Sequence, residues 1–290
     1  MSLVFKTNFY KDDRSRKELI RFVNQIHNLD LTRWDQLGYW DKNYRPFSFF
    51  DGSRMVANAC LYSMKMRVDG QDCQVAQISG VGVDPAYRQR GLAYELNMKA
   101  IEWAENKHDF YFLFADSEAF RLYEKCGFRR DEEHRPVVNV GGSVPTGRIR
   151  KLNMNAPDDR DLVYAGAINR TPVSNLWGVN NPKLLMFWAL YFLSDNIYYI
   201  DELDLVIMFS RNGERTTVYD IVGAAIPGFE TIYPFISAPT DRQVEFMFMT
   251  DRLGIVQGDW VTLGPEAGMH LRGDCPVENG PFIIPMTARA

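Results

Sequence analysis

The sequence predicts an α/β protein: a mixed, mostly antiparallel sheet flanked by helices, followed by a second α/β domain. Three observations carry this reading. Asp51-Gly52 and Asp69-Gly70 punctuate extended runs, and Asp-Gly favours hairpin turns because both central residues take positive φ. After Asp84-Pro85 the apolar pattern changes to a helical period. A similar order of hairpin, helix and strand then recurs after residue 200.

Taken in order, residues 3–9 alternate weakly and form a first strand. Residues 14–28 place Leu19, Val23 and Ile26 on one helical face. A shorter helix is expected in the aromatic region that follows. Residues 45–83 read as a three-stranded antiparallel meander. A helix runs from Gly91 to about Asn106, with Leu96, Ala100, Ile101 and Ala104 in its apolar stripe. Residues 110–115 are a continuous apolar run, read as a buried strand. Asp116 is placed to cap a helix ending near Lys125, and Gly127 to close it in the left-handed conformation.

Three acidic residues, two prolines and a Gly-Gly pair mark a junction at 131–148. The expected domains are therefore 1–135 and 148–290. The second holds helices at 158–169 and 181–194, strands at 203–210 and 215–223 joined by Asn212-Gly213, a helix at 228–236 and a strand at 243–249. Hairpin, helix and strand thus occur twice, which leaves open a degenerate structural repeat.

The chain has 290 residues, of which 46% are hydrophobic and 24% charged, ample for two packed cores. Its formal net charge of −4, without a basic stripe, argues against nucleic acid as a partner. The four cysteines form no C-x-x-C pair, so neither a metal nor a redox motif is indicated. The longest apolar run, residues 184–193, is too short to span a bilayer. The first residues lack a secretory pattern. The expectation is a cytoplasmic protein with no metal and no membrane partner; a homo-oligomer is left open.

The segment carrying chemistry runs from Val81 through Val83 to Ala93: a strand, a tight basic loop and a helix start. The first N–H groups of a helix lack partners within it and carry partial positive charge. They suit a pyrophosphate. Gly91 allows close backbone approach, Ala93 keeps the next turn small, and Arg88 and Arg90 add attraction.

This loop resembles that of the GNAT superfamily of N-acetyltransferases. Their pattern, Gln/Arg-x-x-Gly-x-Gly/Ala, is met by Arg88, Gly91 and Ala93. The Leu-Tyr-Glu-Lys-x-Gly-Phe stretch of family members is met by residues 122–128 at every specified position. The resemblance covers roughly residues 1–130. It implies an acetyl-CoA-dependent N-acetyltransferase acting by direct transfer on a primary amine of a small molecule. Backbone groups of Val81 and Val83 would bind the pantetheine arm. Those of Gln89, Arg90, Gly91, Leu92 and Ala93 would hold the pyrophosphate. Tyr123 would protonate the leaving thiolate.

There are two departures from the family pattern. Asp116 stands where many members have Asn, which puts its cofactor contact in question. The strand before the loop, residues 74–80, carries no carboxylate for a general base. The aromatic residues Trp34, Tyr39, Trp40, Tyr44, Phe47 and Phe49 read as core, with one or two rings lining the acceptor site. The four histidines have no ligand spacing, and none is assigned a role. The apolar terminal stretch 281–290 is similar in layout to the enhanced-intracellular-survival type of acetyltransferase, although this chain is shorter. The similarity implies that the Ala290 carboxylate supplies the missing base or binds the acceptor. A non-catalytic acyl-CoA sensor and a protein N-acetyltransferase remain alternatives.

Overall fold

A computed structural model describes residues 3–255, 258–264, 268–275 and 280–290. Among these residues there are two sheets. The first is built on β1 (Val4–Thr7), β2 (Tyr44–Asp51), β3 (Arg54–Val68), β4 (Gln71–Val83), β5 (Phe110–Phe114) and β6 (Arg129–Arg130). The meander β2–β3–β4 is antiparallel, and β5 lies parallel to β4. Gly52 and Gly70, at φ 60° and 73°, make the predicted turns.

Helix α1 (Asp13–His27) packs on one face of this sheet through Leu19, Phe22 and Val23. The Asp12 carboxylate caps it by accepting from the N–H groups of Arg14 and Ser15 at 3.1 and 3.3 Å. The short helix α2 (Thr32–Gln36) follows. Helix α3 (Leu92–Ala104) covers the opposite face with Leu96, Ala100, Ile101 and Ala104, as its apolar stripe requires. Helix α4 (Phe120–Lys125) packs beside it, and Gly127 closes α4 at φ 81°. Asp116 makes no capping hydrogen bond from its side chain, contrary to expectation.

The second sheet contains β7 (His134–Asn139), β8 (Arg150–Lys151), β10 (Ile197–Ile200), β11 (Leu205–Asn212), β12 (Arg215–Val222), β13 (Gln243–Phe246) and β14 (Asp259–Thr262). Helices α5 (Pro157–Asn169), α6 (Pro182–Tyr191) and α7 (Phe229–Ile236) accompany it. The strand β9 (Trp177–Val179) joins the far end of β3.

The recurring sequence pattern is a recurring connectivity. In both halves an antiparallel hairpin leads through a helix to a strand parallel to its second arm: β3–β4–α3–β5 and β11–β12–α7–β13. The halves also exchange strands. β15 (Met269–Gly273), late in the chain, lies between β5 and β6 of the first sheet. β7, from the first half, lies between β13 and β14 of the second. The expected division into 1–135 and 148–290 is therefore not a division in space. Each sheet would present the edges of two strands without the other's contribution, and unpaired strand edges buried against a core are costly.

The terminal segment 281–290 runs through the joint core. Phe282 stacks on Trp177 at 5.0 Å, and Ile283 and Ile284 are fully buried. The buried Glu133 carboxylate accepts from the Ile284 N–H at 2.8 Å and pairs with Arg289 at 3.0 Å. Thr287 donates to Asp220, which also holds the buried Arg170.

Ending the chain after residue 262 removes β15 and the terminal segment. The expected outcome is loss of a single cooperative transition in urea followed by circular dichroism. A truncated chain unfolding like the full one would show that the halves fold independently.

Candidate active site

The site begins with a defect in pairing. β4 pairs with β5 only from Val75↔Phe110 to Gln77↔Phe112, yet β4 continues to Val83 and β5 to Phe114. The strands splay beyond Gln77. On its other edge, β4 pairs with β3 at Ser79↔Cys60 and again at Gly82↔Asn58, so β4 carries an extra residue there. Such a bulge bends its strand. Gly80 makes the bulge, at φ 55°, and the buried Asn58 amide fixes it by donating to the Gly80 carbonyl at 2.8 Å. Ser48 in turn donates to the Asn58 oxygen at 2.8 Å.

The splay exposes backbone groups in a usable pattern. The Asp84 N–H donates to Val56 on β3 at 2.8 Å. N–H directions alternate along an extended strand, so those of Val83 and Val81 face the open side. An extended ligand can add there as a strand does.

The basic loop follows at once. The buried Asp84 carboxylate accepts from the Ala86 N–H at 3.0 Å and pairs with Arg54 at 2.6 Å. Burial opposes its charge, but these contacts prevail and hold its pKa below the ordinary value. Tyr87 donates to Asp51 at 2.6 Å. Gln89 and Gly91 take φ 61° and 76°, and α3 starts at Leu92 immediately after. Nothing lies within 4 Å of where a Gly91 Cβ would stand. Backbone conformation thus requires the glycine, and the space before it is open. Arg88 and Arg90 are exposed, with Arg88 Nε donating to the Val83 carbonyl at 3.3 Å. Leu92 is buried beneath the loop and Ala93 half-buried. A groove beside Gly91 is lined by Tyr94, Arg121, Leu122 and Lys125.

Where the splay opens, a cavity of about 520 Å³ lies between the two halves. Val81, Asp116, Tyr123 and Ala290 all line it. The terminal residue is held in place: the Ala290 N–H donates to Gln77 Oε1 at 2.8 Å, and Gln77 Nε2 donates back to its oxygen at 3.2 Å. Trp188 Nε1 donates to the Arg289 carbonyl at 2.7 Å. Tyr123 is 6% exposed. Burial, then the neighbouring Cys126 and Asp116, pushes its phenol pKa well above the ordinary value. The group therefore remains a protonated acid.

β15 supports the helix that carries Tyr123. The His270 ring packs 5.8 Å from that of Tyr123, and Arg272 donates to the Cys126 carbonyl at the end of α4. The His270 Nδ1 hydrogen-bonds to the Gly268 carbonyl at 2.8 Å.

Among the six predicted ring residues, Trp34 and Tyr44 line the cavity and the other four are core. Sequence reading missed His27, which lies on the wall at the end of α1. Packing around its ring lowers its pKa, with Asp116 opposing. α1 sits close to β4 because Gly82 has no side chain: a Cβ there would meet Ile26 at 2.8 Å. Also missed were Asn58, Gln77 and the α6 rings. A lone Asn in the apolar run 55–62 was the available signal for the first; α6 offered none.

Residues 20–130 match the family model of the acetyltransferase (GNAT) domain. This segment is a GNAT domain. No curated protein matches the chain. Solved structures of similar fold include a conserved protein of unknown function from Enterococcus faecalis, described as a probable N-acyltransferase. It is 13% identical, with a TM-score of 0.62 over 94% of this chain and 72% of that one. Eis1 from Mycobacterium abscessus is 15% identical, with a TM-score of 0.59 over 93% and 73%. A putative acetyltransferase from Pyrococcus horikoshii is 12% identical, with a TM-score of 0.52 over 99% and 96%. At these identities the likeness is one of fold, and it extends past the matched GNAT domain into the second half. Both halves are GNAT-like in architecture. Among the described residues no group of His, Cys, Asp or Glu is arranged to hold a metal ion, and no helix is long and apolar enough to cross a membrane.

The bulge of the GNAT domain gives a direct test. Gly80→Ala would place a Cβ 3.1 Å from the Tyr44 hydroxyl at a positive φ. The expected outcome is a stability loss of about 1–2 kcal/mol by denaturant unfolding. Unchanged stability would show that the bulge accommodates a side chain.

Proposed function

We propose that the chain transfers an acetyl group from acetyl-CoA to a primary amine of a small molecule. The observation that carries this reading is the splay of β4 and β5. It leaves an open backbone edge on β4, flanked by a helix start behind a basic loop and by a cavity that a buried tyrosine lines.

In this reading the pantetheine arm adds to β4 through the backbone of Val81 and Val83. The pyrophosphate sits on the N–H groups from Gln89 to Ala93, with Arg88 and Arg90 adding attraction. Arg121 and Lys125, in the groove beside Gly91, suit the remaining phosphate. Asp116 lies on the cavity wall, and its charge favours a cationic acceptor over a phosphate.

A free alkylamine has a pKa of ~10.4 and must lose a proton before it attacks. Ala290 and His27 stand on the cavity wall to receive it, the former through its carboxylate. The amine nitrogen then forms a bond to the thioester carbon. The carbonyl oxygen takes up the electron pair, stabilised by the Val83 N–H. As the C–S bond breaks, the sulfur leaves with the electron pair and takes the Tyr123 proton. The oxygen's electron pair re-forms the carbonyl as sulfur departs, and the second nitrogen proton passes through solvent to the Tyr123 phenolate, giving the amide and restoring the acid. Holding amine and thioester together supplies much of the rate.

Isothermal titration with acetyl-CoA tests the donor. The expected outcome is saturable binding by the wild-type chain, lost when Arg88→Glu and Gly91→Glu are combined. No binding by folded wild-type protein would overturn the reading.

Tyr123→Phe tests the acid. Turnover should fall by roughly 100-fold with acetyl-CoA binding unchanged. Because the phenol pKa is raised, wild-type turnover should rise with pH as the amine deprotonates. No fall from tyrosine ionisation is expected near the ordinary phenol value of ~10. Extending the chain past Ala290 should lower turnover in the same assay. Full activity in Tyr123→Phe, or in the extended chain, would remove that residue from the mechanism.

A further inference from the structure

We propose that the acceptor is an arylalkylamine in chemical class: a primary amine with one positive charge on a flat apolar body. This rests on the acetyl-transfer reading and concerns the same cavity. The wall away from Tyr123 is built from rings of both halves. Trp34 and Tyr44 come from the first half, and Phe187, Trp188 and Phe192 from α6 and its end.

The polar handles of the two tryptophans are already occupied. Trp34 Nε1 donates to the Lys183 carbonyl at 2.9 Å, and Trp188 Nε1 to the Arg289 carbonyl at 2.7 Å. The rings therefore present apolar surface rather than hydrogen-bond donors. Phe192 is 51% exposed at the rim, with its ring 4.9 Å from Trp188 and 5.6 Å from Phe187. Of these rings Phe192 alone is exposed, and an exposed ring at a cavity mouth is stabilised when an apolar ligand covers it. An aryl body stacks on such rings, and a single ammonium group is drawn to their faces.

Charge sets the upper limit. Among the described lining residues, Asp116 is the one carboxylate side chain. Arg289 also lines the cavity, and its charge is matched by Glu133 at 3.0 Å. Ala290 and His27 also line the cavity, and the phenols of Tyr44, Tyr62 and Tyr123, their pKa values raised by burial, add no charge. A polyamine or aminosugar carries several ammonium groups. Each beyond the first or second would enter without a counter-charge, at a high desolvation cost.

The test compares 2-phenylethylamine, spermidine and tobramycin as acceptors at saturating acetyl-CoA, read as release of free thiol. The expected result is a kcat/KM for 2-phenylethylamine at least about 10-fold above the other two. Phe192→Ser changes only a rim residue. It should raise KM for 2-phenylethylamine by roughly 3- to 10-fold while leaving acetyl-CoA binding intact. Faster turnover of either polycation, or an unchanged KM in Phe192→Ser, overturns the proposal while the acetyl-transfer reading stands. If no amine is turned over, that reading fails and binding decides the acceptor class. Saturable quenching of tryptophan fluorescence by 2-phenylethylamine, but not spermidine, upholds the apolar monoamine site; no quenching overturns it.

Discussion

The exchange of β15 for β7 is the constraint on which the rest of this structure depends. Placing β15 between β5 and β6 completes the first sheet with residues from the far end of the chain. The same strand supplies His270 against the Tyr123 ring and Arg272 at the end of α4. The tyrosine's position is thus coupled to folding of both halves. The reciprocal strand, β7, continues from the Tyr123 region into the second sheet. Each half has a core of its own, and a third, larger core between them draws residues from both, so the cavity has walls fixed from two directions.

A second device acts locally. The Gly80 bulge, held by the Asn58 amide, bends β4 away from β5. A regular strand would have continued the pairing and buried the N–H groups of Val81 and Val83 in a ladder. Burying Asn58 is tolerated because Ser48 and the Gly80 carbonyl satisfy its amide. The loop after β4 is pinned in the same manner, by Asp84 to Arg54 and by Tyr87 to Asp51. Polar groups in this region are thus spent on backbone geometry, and the open edge is the result.

Much of the first half was legible because its signals are local. Asp-Gly turns, the helical stripe of α3 and the loop glycine each depend on residues within a few positions of one another. The aromatic run after α1 was read correctly as mostly core, with Trp34 and Tyr44 reaching the cavity. Asp116 takes the N-cap position its place in the sequence suggests, at the short turn that leads into α4, but its side chain makes no capping bond. Histidine spacing gave no reason to single out His27, since its place on the wall follows from α1 packing against Gly82.

The sequence by itself determined the hairpins, the loop-to-helix junction and the repeated order of elements, because turn chemistry and apolar periodicity are short-range. Tertiary structure alone decided which strand completes which sheet. Strand exchange leaves the local pattern of each strand unchanged and alters only its partner. It also decided that α6, whose residues read as an ordinary apolar helix, supplies two rings to the cavity and the residue after it a third. Likewise it decided that Ala290 is held by Gln77, 213 positions earlier in the chain. Contacts at such separation depend on how two cores pack together, and no window of sequence contains both sides.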